Sequence, residues 1–76
     1  MGRVPDPILT GAIDRVASGD ALDEAAAAEV LAEIMEGRAD AVQTAGLLMA
    51  LRTRGETVEE LVGMARTMRR LATHVE

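Results

Sequence analysis

The chain has 76 residues and a net charge of −5, with no cysteine, no Phe, Tyr or Trp, and a single histidine, His74. Without thiols or a set of imidazoles it has no disulfide framework, thiolate chemistry or transition-metal set, and an acidic chain without aromatic platforms is a poor nucleic-acid binder. One domain of this size buries only about 60 % of its unfolded surface, and much of its 49 % hydrophobic fraction is alanine, so the core is thin and gains from association.

The first helix is predicted over 7–18. Asp6 is a natural cap and Pro7 occupies the first helical position, where its missing N–H costs nothing. Ile8, Leu9, Ala12, Ile13 and Val16 share one stripe, and Ser18-Gly19-Asp20 closes the helix with Gly19 left-handed. Leu22 precedes a second cap, Asp23, as the apolar residue of a staple. The second helix, over 24–36, carries the run Ala25 to Ala28, whose helix propensity is high. Val30, Leu31, Ile34 and Met35 lie towards one side; Glu29, Glu33 and Glu36 gather on the other and read as a solvated face.

Gly37 ends that helix, and the third follows over 41–54. Asp40 and Gln43 form a capping box and Gly55 supplies the stop. At about 100° per residue, Thr44, Leu47, Leu48 and Leu51 share one side, and Val42, Ala45, Gly46, Met49 and Thr53 share the other. A helix with two such sides is expected at the centre of the fold, with one side belonging to another chain or domain. The fourth helix, over 58–73, opens with the box Thr57-Val58-Glu59-Glu60. Its stripe is Leu61, Met64, Ala65, Met68, Leu71, Ala72 and Val75, with Met49, Met64 and Met68 serving as core filler. Short connections between amphipathic helices predict an all-α, compact four-helix bundle-like domain.

Motifs for chemistry are few. The glycines are isolated, and those inside helices, Gly46 and Gly63, suit close helix approach better than a ligand. His74 lies near a terminus and reads as solvated. Arg66, Arg69 and Arg70 project opposite the fourth stripe, where they pair with glutamates or are solvated, with an anion or a following domain as the alternatives. No catalytic, cofactor-binding or metal residue is assigned. No apolar run approaches the roughly 18 residues of a membrane span, and Met1 to Pro5 has no apolar h-region, so a soluble, cytoplasmic chain without nucleic-acid or membrane partners is expected.

The segments Gln43-Thr44-Ala45-Gly46-Leu47-Leu48-Met49-Ala50-Leu51-Arg52 and Arg54-Gly55-Glu56-Thr57-Val58-Glu59-Glu60-Leu61 resemble the N-terminal helical domain of the anthranilate phosphoribosyltransferases, of the glycosyltransferase family 3 type. Gly19-Asp20-Ala21-Leu22, Ile34-Met35-Glu36-Gly37 and Gly63-Met64-Ala65-Arg66-Thr67-Met68-Arg69 are similar to further family motifs. The resemblance runs from about Ile8 to Ala72. Asp23 departs from the family's frequent Ser or Thr, and Thr67 from its frequent Ala. Pyrimidine nucleoside phosphorylases share this domain, but their segment after the third helix tends to read Gly-Met, and Arg54-Gly55-Glu56-Thr57 favours the anthranilate enzymes.

The resemblance implies a fragment of a tryptophan-biosynthesis enzyme. Its parent would transfer phosphoribosyl from phosphoribosyl diphosphate to anthranilate, using magnesium held by an α/β domain with a Gly-Thr-Gly-Gly-Asp loop absent here. The chain alone is then expected to be inactive and without a cofactor. It would be a packing and dimerising domain whose homodimer forms through helices one and three, at Val42, Ala45, Gly46, Met49 and Thr53. A free-standing helical interaction module is the alternative of a different class.

Overall fold

A computed structural model describes residues 5–72 of the chain. His74, Val75 and the expected helix end near Thr73 lie outside the described residues, as do Met1 to Val4. The four helices among the described residues are α1 (Pro7–Ala17), α2 (Glu24–Met35), α3 (Ala41–Arg54) and α4 (Val58–Ala72), and every predicted bound but the end of the fourth helix is met within a residue. The backbone turns where glycine permits it: Gly19, Gly37 and Gly55 all have positive φ. Asp23 accepts from the Ala26 N–H at 2.8 Å, and Leu22 behind it is buried.

The packing order differs from the chain order. α4 packs on α2, α2 on α1, and α1 on α3, in a slab whose Cα extents are 38 × 37 × 16 Å. The central position expected for α3 therefore falls to α1 and α2, and α3 lies at an edge. The misplacement has a physical source in the alanines. Ala27 and Ala32 are buried along α2, and side chains this small give a second packing face that periodicity of large apolar residues does not reveal.

The core is Leu9, Ala12 and Val16 from α1, Leu22, Ala27 and Val30, and Leu47 and Leu51 from α3. Leu48, expected with Leu47 and Leu51, is instead 52 % exposed, because at 100° per residue it falls too far around the helix to reach α1. The stripe expected to bury α4 is also displaced. Leu61 and Met68 are half exposed, whereas Glu60, Gly63 and Thr67 are buried. These positions at i, i+3 and i+7 form the face that meets α2. A Cβ on Gly63 would run into the Glu24 carbonyl oxygen and come within 3.1 Å of Ala27 Cβ and Ala28 N. Thr67 donates its hydroxyl proton to the Ala28 carbonyl at 2.8 Å. Two helix backbones approach this closely only where side chains are absent or bond the opposite backbone.

Candidate interaction surface

α3 is fixed at both ends, and this fixes the face it turns outward. At its start, Asp40 accepts from the Gln43 N–H at 2.7 Å, half of the expected capping box. The Gln43 side chain does not return to Asp40; it reaches α1, accepting from the Asp6 N–H at 2.9 Å and donating to Asp6 O at 3.3 Å and Thr10 Oγ1 at 3.0 Å. Asp6, expected as the cap of α1, stands at the N-cap position but its side chain makes no cap hydrogen bond.

At the far end, Arg54 donates to the Asp20 carbonyl and to Glu60 Oε1. Glu60 is 0 % exposed and also accepts from the Leu22 N–H at 2.7 Å and the Thr57 N–H at 2.9 Å, while its own N–H donates to Thr57 Oγ1 at 3.1 Å. This capping box is complete, and one carboxylate joins the α1–α2 turn to the α3–α4 turn. Burial pushes the Glu60 carboxyl up, but the Leu22 and Thr57 N–H groups and the Arg54 guanidinium outweigh it and hold the group below its ordinary range.

Between these anchors, Leu47 and Leu51 face inward and the opposite side stays open. Val42 is 81 % exposed and Met49 65 %, and Ala45, Gly46 and Thr53 are exposed with them. All five residues named from the sequence thus share one outer face of α3. Beside it, at the C-terminal ends of α1 and α3, is a cavity of about 420 Å³ lined by Val16, Ala17, Gly19, Met49, Ala50, Thr53 and Arg54. No sequence pattern marks this cavity, because the contributions of Ala17 and Gly19 depend on how α1 crosses α3, which periodicity does not encode. A second apolar surface, Val58, Leu61, Val62 and Met68, lies exposed on α4.

Away from this face, several of the described charged groups are drawn into ion pairs. Glu33, expected in solvent with Glu29 and Glu36, is 7 % exposed because Arg38 folds back over it, with Nε donating at 2.9 Å. That hydrogen bond holds the Glu33 carboxyl below its ordinary range against the opposing effect of burial, with the Arg38 charge and the Asp6 carboxyl adding to it. The hydrogen bonds to Glu33 and Glu36 raise the Arg38 pKa in turn. Arg66 pairs with Glu24 at 2.8 Å. Among the described residues no three His, Cys, Asp or Glu side chains converge to hold a metal ion. The buried carboxylates of Glu33 and Glu60 are paired with Arg38 and Arg54. No helix among the described residues is long and apolar enough to cross a membrane.

Residues 10–72 match the family model described as "Glycosyl transferase family, helical bundle domain". Among curated proteins the chain is similar to the anthranilate phosphoribosyltransferase of Desulforamulus reducens, 48 % identical over 69 residues, which is 91 % of this chain and 20 % of the relative. It is likewise similar to that of Rubrobacter xylanophilus, 50 % identical over 68 residues, 90 % of this chain and 20 % of the relative. With that of Azospirillum brasilense it shares 53 % identity over 62 residues, 82 % of this chain and 18 % of the relative. The chain thus spans about a fifth of the length of the curated relatives it matches. No solved structure matches it.

Proposed function

The chain belongs to the glycosyl transferase family as a helical bundle domain, and from that premise we propose that it is the non-catalytic, dimerising and packing domain of a cytoplasmic anthranilate phosphoribosyltransferase. The observation that carries the dimerising role is the outer face of α3: Val42 and Met49 are largely exposed around Ala45 and Gly46, on a helix clamped at both ends by Gln43 and Arg54. Apolar side chains exposed together on a helix held at both ends are what an association site presents. The α4 surface of Leu61, Val62 and Met68 is assigned in this reading to the catalytic α/β domain, which would supply the phosphoribosyl diphosphate and magnesium sites.

The reading makes the chain a homodimer that contributes no group to phosphoribosyl transfer. Sedimentation tests the first point: the chain should run as a dimer, and the double variant Val42→Glu, Met49→Asp as a monomer with unchanged helical circular dichroism. A wild-type chain that stays monomeric, or a double variant that stays dimeric, overturns the assignment. Calorimetric titration with magnesium and phosphoribosyl diphosphate tests the second. No binding heat is expected, and saturable micromolar binding would contradict it.

A further inference from the structure

We infer that Asp6 and Glu33 form a proton-gated latch between the start of α1 and the end of α2: the first proton that enters the pair sits on Asp6 Oδ2 and is donated to the Glu33 carboxylate. The inference is independent of the dimerisation proposed above.

The observation that calls for it is a buried oxygen without a partner. Among the described residues, Asp6 Oδ2 is buried and takes no hydrogen bond, a state in which its lost hydration is not replaced. The backbone that carries this side chain is held in place. Its N–H donates to Gln43 Oε1 at 2.9 Å, and its carbonyl accepts from Gln43 Nε2 at 3.3 Å, the Thr10 N–H at 2.9 Å and Thr10 Oγ1 at 3.0 Å. The side chain makes no cap bond to α1; it lies instead within hydrogen-bonding reach of the Glu33 carboxyl. Two ionised carboxylates offer each other only lone pairs, so the Asp6 oxygen stays without a partner until a proton supplies the donor. With that proton in place, one carboxyl donates to the other in a charge-assisted bond that joins the two helices.

The surroundings decide which carboxyl takes the proton. Arg38 pairs with Glu33 and Glu36 rather than with Asp6, and both of its contacts to Glu33, Nε at 2.9 Å and Nη2 at 2.7 Å, fall on Oε2. This fork does not exhaust the lone pairs of Glu33. The Arg38 hydrogen bond, with the Arg38 charge and the Asp6 carboxyl adding to it, keeps the buried Glu33 carboxyl below its ordinary range, so Glu33 is the acceptor and the last of the two to protonate. The other charged groups nearby are turned elsewhere: Asp40 caps the Gln43 N–H, and from α4 Arg66 pairs with Glu24 while Arg70 lines the groove beside Glu33. None of them donates to Asp6 Oδ2. In the unfolded chain the two carboxyls titrate separately, whereas in the folded chain the first proton gains a bond and the second has to displace Arg38 from Glu33. Stability from the first proton is therefore present at low pH and lost as pH rises through that step, and stability from ionised Glu33 is lost only as pH falls through the lower one. Acid first tightens this junction, while it loosens the Glu60 clamp at the other end of the fold.

Carbon NMR of the labelled chain, titrated from about pH 7 downward for as long as helical circular dichroism persists, reads both carboxyls directly. The Asp6 and Glu33 carboxyl carbons should shift together in a first step, with Glu33 completing its change in a separate, lower one. Asp6→Asn supplies the second measurement, because its amide is a permanent donor of the same shape. Its urea midpoint should exceed that of the unaltered chain at neutral pH, and the advantage should shrink as pH falls towards about 4, where the native pair acquires a donor of its own. Independent single-step titrations of the two carboxyls overturn the latch. So does an Asp6→Asn advantage that is the same at every pH, or a midpoint that the substitution lowers at neutral pH; each would assign the Asp6 oxygen to an ordered water.

Discussion

The seam between α1 and α3 and the seam between α2 and α4 hold helices together by different means. On the first, Leu9, Ala12 and Val16 meet Leu47 and Leu51, and the polar atoms sit at the margin in the Gln43 clamp. On the second, the buried face of α4 is Glu60, Gly63 and Thr67, set against the backbone and alanines of α2. The first is a contact of side-chain volume and tolerates adjustment. The second is a contact of backbones, in which the side chains of Glu60 and Thr67 are hydrogen-bonded to backbone groups and there is no slack. Substitutions on the α2–α4 seam should therefore cost more than substitutions of similar size on α3.

The largest difference is expected at Glu60. Glu60→Ala leaves Arg54, whose side chain is 15 % exposed, without its carboxylate, and leaves the N–H groups of Leu22 and Thr57 unpaired. Removing one partner of a buried ion pair costs about 3–5 kcal/mol, comparable with the whole stability of a small domain. Circular dichroism should show this variant largely unfolded at 25 °C. Acid should act through the same group. The folded carboxyl is held below its ordinary value of 4.5, so its contribution is fully present above that value and is lost as pH falls through the lower folded value. Urea midpoints should thus hold level from neutral pH to about 5 and then fall. In Glu60→Gln the fall should be shallower, from a lower starting stability.

The next effect is expected at Gly63. Alanine is the better helix former by about 1 kcal/mol, yet its Cβ would strike the Glu24 carbonyl, and the backbone of α2 cannot swing aside as a side chain can. Overpacking of this kind costs about 1–3 kcal/mol or more. Gly63→Ala should lower the urea midpoint, and a raised midpoint would show that the two helices are not in contact at this position.

These two positions also show what the sequence could and could not reveal. The helix bounds, the Gly19 and Gly55 stops, the Thr57 box and the stripe of α1 are local, set by a cap, a turn or a 3.6-residue period. The edge position of α3 and the buried face of α4 are not local. Periodicity ranks Leu61 and Met68 above Glu60 and Thr67 because it scores transfer from water, whereas the α4 face is chosen by closeness of approach. The signal available was the small and polar stripe at 60, 63 and 67, opposite an alanine-rich helix. Glu33 leaves the solvated face for a related reason: its partner Arg38 stands beyond the helix end, where helical spacing says nothing. The grouping of Val42, Ala45, Gly46, Met49 and Thr53 on one exposed side of α3, by contrast, is local and follows from the helical period.

Smaller effects should separate the two capping boxes. Thr57 shares its box reciprocally with buried Glu60, while Asp40 makes a one-way cap to the Gln43 N–H, whose side chain is engaged elsewhere. Both alanine variants fall in the range of about 0.5–2 kcal/mol for lost caps, with Thr57→Ala towards the upper end and Asp40→Ala towards the lower. Equal shifts in urea midpoint would mean that the reciprocal bond adds nothing.

The smallest expected effect has the opposite sign. Gly46 resembles Gly63 in lying within a helix, but a Cβ at 46 finds only Ile13 Cδ1 at an ordinary contact distance of 3.9 Å. The clash term is therefore missing and the helix term remains. In dilute solution, where the chain is dissociated, Gly46→Ala should gain up to about 1 kcal/mol, which in a domain of this size raises the thermal midpoint by about 4–8 °C. At high concentration the same variant should gain less, because the added methyl group falls on the exposed face proposed for dimerisation. A gain that is the same at both concentrations would leave Gly46 without a role at the interface, and a loss in dilute solution would mean that α1 and α3 approach more closely than the 3.9 Å contact indicates.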